Sequence, residues 1–303
     1  MKLNTLLLTL LVGSTLHAEQ CLVIGDSLSK EYELEFPALY PRNRAAWDSR
    51  NWAEILHENR KTWFDLGKWS GFADPRLVGH EHNWAFPGAT TSMIKSELSS
   101  WRNFWWTREL QGQVRSAAER VVIFAGGNDV DSYYSAIYNG AASAKYINAT
   151  RDNLRFIVDY VRKVKGTIPI VLVSVPHVGC TPDIQKAHPT DPVKTQRVTA
   201  ALDSLNAQLA LFAKQRGIAF VPGVYELTKS LITQPLRIGG MTFISQADAD
   251  SGPEYLFSGD GFHPNTCAHA KIAPMIIEAF RTRYPASNIT PLGDVEILQT
   301  VLK

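Results

Sequence analysis

Apolar residues in this chain fall into two alternating kinds of segment. Short continuous runs, many of them β-branched, occur at 121–125, 168–175 and 218–221, and a similar run, Cys21-Leu22-Val23-Ile24, stands near the amino terminus. Runs of that length without polar interruption predict strands buried on both faces, as in a parallel sheet. Between them the apolar positions recur at helical spacing. Val198, Leu202, Leu205, Leu209 and Phe212 line one such segment, and Tyr146, Leu154, Ile157, Val158 and Val161 line another between 144 and 165. A further helix is predicted over 266–284. Strands alternating with helices predict an α/β fold, and ligands of such sheets sit at the carboxyl ends of the strands. No internal repeat or low-complexity linker interrupts the pattern.

Two of the strand-like runs end in chemically capable residues. The first stops at Gly25-Asp26-Ser27, where a glycine lets the backbone turn sharply and project the serine hydroxyl. Gly, Asp and Ser are also ordinary turn residues, so the tripeptide gains its meaning from the rest of the chain. The second run ends in Gly126-Gly127-Asn128-Asp129, and between the two lies Pro87-Gly88-Ala89-Thr90. Near the far end, Asp260-Gly261-Phe262-His263 places a carboxylate three residues before a histidine in a glycine-bounded loop. A carboxylate so placed can hold the imidazole Nδ1 proton and leave Nε2 free to take one from a serine.

Taken in this order, the four blocks resemble the SGNH hydrolases, also called the GDSL esterase/lipase family, and they stretch over 21–265. The resemblance implies a flavodoxin-like three-layer sandwich with a central parallel sheet. It implies Ser27 as nucleophile, His263 as general base and then acid, and Asp260 as the partner that orients it. The implied oxyanion hole is the Ser27 backbone N–H, the Gly88 backbone N–H and the Asn128 side chain. The segment 175–182, with His177, also looks like a loop found in some family members after the fourth strand. Neither a cofactor nor a metal is expected.

The amino terminus adds a location. Lys2, an apolar stretch over 3–12 and the small residues leading to Ala18 read as a secretory signal peptide over 1–18. That stretch is too short to span a bilayer. The expectation is an exported protein, periplasmic or secreted, whose residues 19–303 form a single hydrolase domain. Its 31 basic against 29 acidic residues argue against a nucleic-acid or membrane-surface partner and leave a small-molecule or glycan ester as the expected one.

All eight tryptophans lie between Trp47 and Trp106, in what reads as an insertion at about 40–110. They form either a recognition wall for sugar rings or acyl groups, or a satellite core that anchors the insertion. His80-Glu81-His82 offers two ligand-type side chains with no third at metal-binding spacing. The acidic stretch Asp248, Asp250 and Glu254 reads as a solvated loop. The three cysteines are odd in number for an exported chain. Cys180 and Cys267 both fall at the catalytic edge of the sheet, which predicts a Cys180–Cys267 disulfide and a free Cys21, with three unpaired thiols as the alternative. The expected activity is hydrolysis of a short acyl ester, such as an acetyl group on a glycan. A lipid esterase or lysophospholipase, or an acyltransferase using the same residues, are the alternatives.

Overall fold

The computed structural model describes residues 18–32, 49–71, 78–100, 104–189, 191–244 and 252–302. The expected signal peptide, apart from Ala18, lies outside the described residues, as do Trp47, Trp101, Asp248 and Asp250 and parts of the expected insertion.

Four parallel strands form the central sheet: β1 (Cys21–Gly25), β2 (Arg120–Phe124), β3 (Ile170–Val173) and β4 (Ala219–Val221). They lie side by side in chain order. Leu22 stands opposite Val121, Val121 opposite Ile170, and Val171 opposite Ala219. Because side chains alternate across a strand, each run feeds two cores. Leu22, Ile24, Val121, Ile123, Ile170 and Leu172 enter the first. Cys21, Val23, Val122, Phe124, Val171 and Val173 enter the second. A polar residue at either alternate position would face a core, which is why the runs read as continuously apolar.

Helices cover both faces. On the first core pack α2 (Thr91–Ser99), α3 (Phe104–Ser116), α4 (Gly127–Tyr138), α5 (Ala144–Val164) and α7 (Pro192–Arg216). The helical-spacing residues Leu154, Ile157, Val158 and Val161 of α5, and Val198, Leu202, Leu205, Leu209 and Phe212 of α7, are all buried there. On the second core pack α1 (Trp52–Asn59), α8 (Gly223–Ser230), α9 (Thr266–Arg283) and α10 (Asp294–Val301). The short α6 (Pro182–Ala187) follows a 3₁₀ turn over Val178–Cys180. The result is the three-layer α/β sandwich that the family resemblance implies.

Among the described residues the outer edge of β1 carries no regular strand but is still covered. Val23 N–H donates to His82 O at 2.9 Å, Trp84 N–H to Val23 O at 2.8 Å and Phe86 N–H to Gly25 O at 3.3 Å. This irregular ribbon delivers Gly88 to the same end of the sheet as Ser27.

Two tryptophans of the cluster are core residues. Trp52 is fully buried with its Nε1–H on Ser29 Oγ, and Trp84 is buried with its Nε1–H on Gln113 Oε1. Trp69, by contrast, is 42% exposed. The expected Cys180–Cys267 disulfide is absent: Cys21, Cys180 and Cys267 are all free and buried. The Cys267 thiol instead donates to Tyr255 O at 3.3 Å, and burial pushes the Cys180 and Cys267 thiols up to about 12. A neutral, desolvated thiol behaves as a small apolar core group.

Candidate active site

The site forms where β1 and β2 end. Gly25 is required there by close approach, since a Cβ would lie 2.5 Å from the Phe124 carbonyl oxygen. The chain then turns tightly, with Ser29 N–H on Asp26 O and Leu28 N–H on Asp26 Oδ1, both at 3.0 Å. This turn sets Ser27, itself largely buried, at the lip of the sheet.

From the far end of the chain comes the loop before α9. Asp260 Oδ1 accepts the backbone N–H groups of Phe262 (2.9 Å) and His263 (3.0 Å), and Ser258 N–H closes the loop on His263 O at 2.8 Å. The other carboxylate oxygen, Asp260 Oδ2, lies 2.5 Å from His263 Nδ1, and His263 Nε2 lies 2.8 Å from Ser27 Oγ. Three predicted residues, with Ser27 and His263 236 positions apart in the chain, thus stand in one hydrogen-bonded line.

Asn128, in the first turn of α4, donates from Nδ2 to Ala89 O at 3.0 Å, which ties it to the loop carrying Gly88. Gly88 has φ +71°, a left-handed conformation that glycine adopts without strain. The predicted oxyanion donors Ser27, Gly88 and Asn128 are therefore all carried by segments meeting at this edge. His177 also lies here, but fully buried. Its Nε2 is 3.0 Å from Thr199 Oγ1, its Nδ1 accepts Gly179 N–H, and burial lowers its pKa to about 4. His80 and His82 do not converge. His80 packs its ring against His57 and Trp69, whereas His82 is buried with its Nε2 3.7 Å from Glu81.

Three contributors were not foreseen from sequence. The buried Tyr32 hydroxyl donates to Pro264 O at 2.9 Å, next to His263, and lies 2.6 Å from His269 Nε2 on α9. Tyr32 and His269 thereby pin the histidine loop from beneath. Burial drives the His269 pKa down to about 3, so its ring is neutral. Asp129 accepts Thr91 N–H at 2.7 Å and Thr91 Oγ1–H at 2.6 Å, and so joins the start of α2 to the start of α4. No local spacing signals partners this far apart in sequence. Asp26 is also unusual: burial raises its pKa to about 7, against smaller opposing effects from the Leu28 N–H and His263.

A parallel α/β sandwich with serine, imidazole and carboxylate aligned at the carboxyl edge of its strands is the arrangement of a serine hydrolase. The chain belongs to the GDSL-like Lipase/Acylhydrolase family, whose model matches residues 23–271, and it is a carboxylic ester hydrolase. The lipase Lip_vut3 from a goat rumen metagenome has the same fold, with a TM-score of 0.51 and 14% identity over 90% of this chain and 98% of its own. The lipase/acylhydrolase from Enterococcus faecalis aligns over the same shares, also at 14% identity, with a TM-score of 0.44. No curated protein matches the chain.

Proposed function

We propose that the protein cleaves its ester through an acyl-enzyme formed on Ser27. His263 Nε2 takes the Ser27 hydroxyl proton as Oγ attacks the acyl carbonyl. The negative charge on the carbonyl oxygen is met by the N–H groups of Ser27 and Gly88 and by the Asn128 amide. Collapse expels the alcohol, which receives the proton from His263. Water then enters, loses a proton to the same imidazole, and releases the acid. Asp260 holds Nδ1–H and stabilises the imidazolium that forms in both half-reactions. The observation that carries this reading is the continuous line Asp260–His263–Ser27, at 2.5 and 2.8 Å.

Replacing Ser27 by Ala is expected to abolish ester hydrolysis and labelling by an organophosphonate while leaving the circular dichroism spectrum unchanged. Full activity in the variant would end the proposal. The reading also includes export, supported by the pattern of residues 1–18, with residues 19–303 as one hydrolase domain. Intact-mass analysis of protein recovered from outside the cytoplasm should then find a chain beginning at Glu19. As for substrate, the motive for a glycan ester weakens because Trp52 and Trp84 serve the core.

A further inference from the structure

Among the described residues Trp69 is the one aromatic side chain that the surface leaves largely open, at 42% exposure. A lone apolar residue in solvent is ordinary, so its neighbours decide whether it has a use. Trp69 pairs with His80 across a short antiparallel ladder outside the central sheet, and Ser70 pairs with Gly79. Together with Arg50, Glu54, His57 and Glu58, which stand in and just before α1, Trp69 and His80 line a pocket of about 170 Å³. Ser27, Asp260 and His263 take no part in its wall.

The wall is polar apart from the indole, and its polar groups are held in place. His80 stands edge-on to the Trp69 ring at 5.2 Å and packs on His57 at 4.5 Å. Its Nδ1–H donates to Gly67 O at 3.1 Å, so the neutral ring keeps Nε2 as an acceptor. His57 has the opposite tautomer. Its Nδ1 accepts Leu66 N–H at 3.1 Å, burial lowers its pKa, and the proton of the neutral ring sits on Nε2 as a donor. Arg50 Nε donates to Glu58 Oε1 at 2.8 Å, and the two charges cancel. Burial raises Glu54 to about 8, which leaves it uncharged at neutral pH. The pocket therefore offers a donor, an acceptor and a balanced ion pair beside one aromatic face. An anion would be repelled by Glu58, a cation by Arg50, and an alkyl chain would strip water from polar groups that it cannot bond. A sugar ring suits every part: its C–H groups meet the negative face of the indole, and its hydroxyls both donate and accept.

We infer that this pocket is an accessory glycan site, which holds one uncharged sugar unit of a polysaccharide against the Trp69 indole. The inference does not require Ser27 to be the nucleophile. The pocket is nonetheless anchored to both segments of the proposed triad. Arg50 N–H donates to Thr266 Oγ1, three residues past His263, and His80 N–H donates to Glu31 Oε1, four residues past Ser27, each at 3.0 Å. An ester-bearing polysaccharide tethered there presents its esters to the triad at a raised local concentration.

The test is titration of the wild-type enzyme with the tetrasaccharides of β-linked glucose, xylose and N-acetylglucosamine, followed by calorimetry and protein NMR shifts. At least one is expected to saturate the site with a Kd at or below about 1 mM. Trp69→Ala should raise that Kd about tenfold or more, as loss of a tryptophan anchor does, and leave p-nitrophenyl acetate turnover unchanged. Trp69→Phe, which restores a ring face, should recover part of the affinity, and Glu58→Gln, at an exposed position of α1, should lower it severalfold. Inorganic phosphate and calcium chloride are titrated alongside. Absence of saturation by every sugar at about 10 mM, or sugar binding that survives both Trp69→Ala and Glu58→Gln, overturns the site. Tighter binding of phosphate or calcium at Trp69 overturns its assignment to sugars. Ester hydrolysis retained in Ser27→Ala would end the proposed mechanism without touching this site.

Discussion

In the proposed mechanism His263 can act on Ser27 only if its proton sits on Nδ1, and Asp260 is placed to enforce that choice. The carboxylate is itself fixed by the Phe262 and His263 N–H groups on Oδ1, so Oδ2 is presented to the ring without freedom to swing away. Removing the ring removes the base altogether, whereas removing the carboxylate leaves a base that is poorly oriented. His263→Ala is therefore expected to lower kcat by about 10⁶ and Asp260→Ala by about 10⁴. Asn128→Ala deletes one donor proposed for the developing oxyanion and should cost about 10² to 10³ in kcat with little change in KM. Single-turnover and steady-state kinetics on one soluble ester separate the three. An Asn128→Ala enzyme with wild-type kcat would remove that side chain from the oxyanion hole.

At the scale of elements, the site depends on helix starts being held together. Asp129 accepts two bonds from Thr91, and Thr150 Oγ1 stands 3.4 Å away, so one carboxylate links α2, α4 and α5. The Gly88 loop ends at Thr91 and Asn128 precedes Asp129, so this link sets the spacing of the two donors proposed for the oxyanion. Asp129→Ala should lower kcat about tenfold or more, with KM nearly unchanged and Ser27 still reactive to a small phosphonate, because hydrogen bonds to a charged group contribute about 1.5–3 kcal/mol each. Asp129→Asn, which keeps an acceptor for Thr91 N–H, should recover part of the loss. Equal loss of kcat and thermal stability in both variants would mark Asp129 as a structural residue only. Such links explain what the sequence could and could not reveal. Strands buried on both faces must be continuously apolar, so β1 to β4 were legible, and the residues at their ends inherited a position. Asp129, Tyr32 and His269 act through partners brought close only by folding. The cysteines show the same limit: Cys180 and Cys267 share an edge of the sheet, but the Cys267 thiol is directed to Tyr255 O, a fact no spacing encodes. The clustered tryptophans share a region yet differ in facing, as Trp52 in the core and Trp69 in solvent demonstrate.

Across the described residues, the buried side chains Asp26, Glu54, His177 and His269 are four that couple the fold strongly to pH. Burial raises Asp26 to about 7 and Glu54 to about 8, and lowers His177 to about 4 and His269 to about 3. The unfolded carboxyls lose their protons near pH 4, while the folded ones keep them, so these two weaken the fold as pH rises from about 4 to 7 and 8. The unfolded histidines gain protons below about pH 6.5, while the folded ones stay neutral, so these two weaken the fold as pH falls below that point. Between about pH 4.5 and 6.5 the two slopes oppose each other with equal numbers of protons, and stability should be nearly level. Of these four, only the carboxyls act above pH 6.5, and together they should lower stability by up to about 3 kcal/mol by pH 8. Urea titrations of the wild type at pH 5, 6 and 8 should show that plateau and decline. In the double variant Asp26→Asn, Glu54→Gln the alkaline decline should largely vanish, since neither amide can ionise. Equal wild-type stability at pH 6 and 8 would mean that both carboxyls are already charged inside the fold, and the buried uncharged state assigned to them would be wrong.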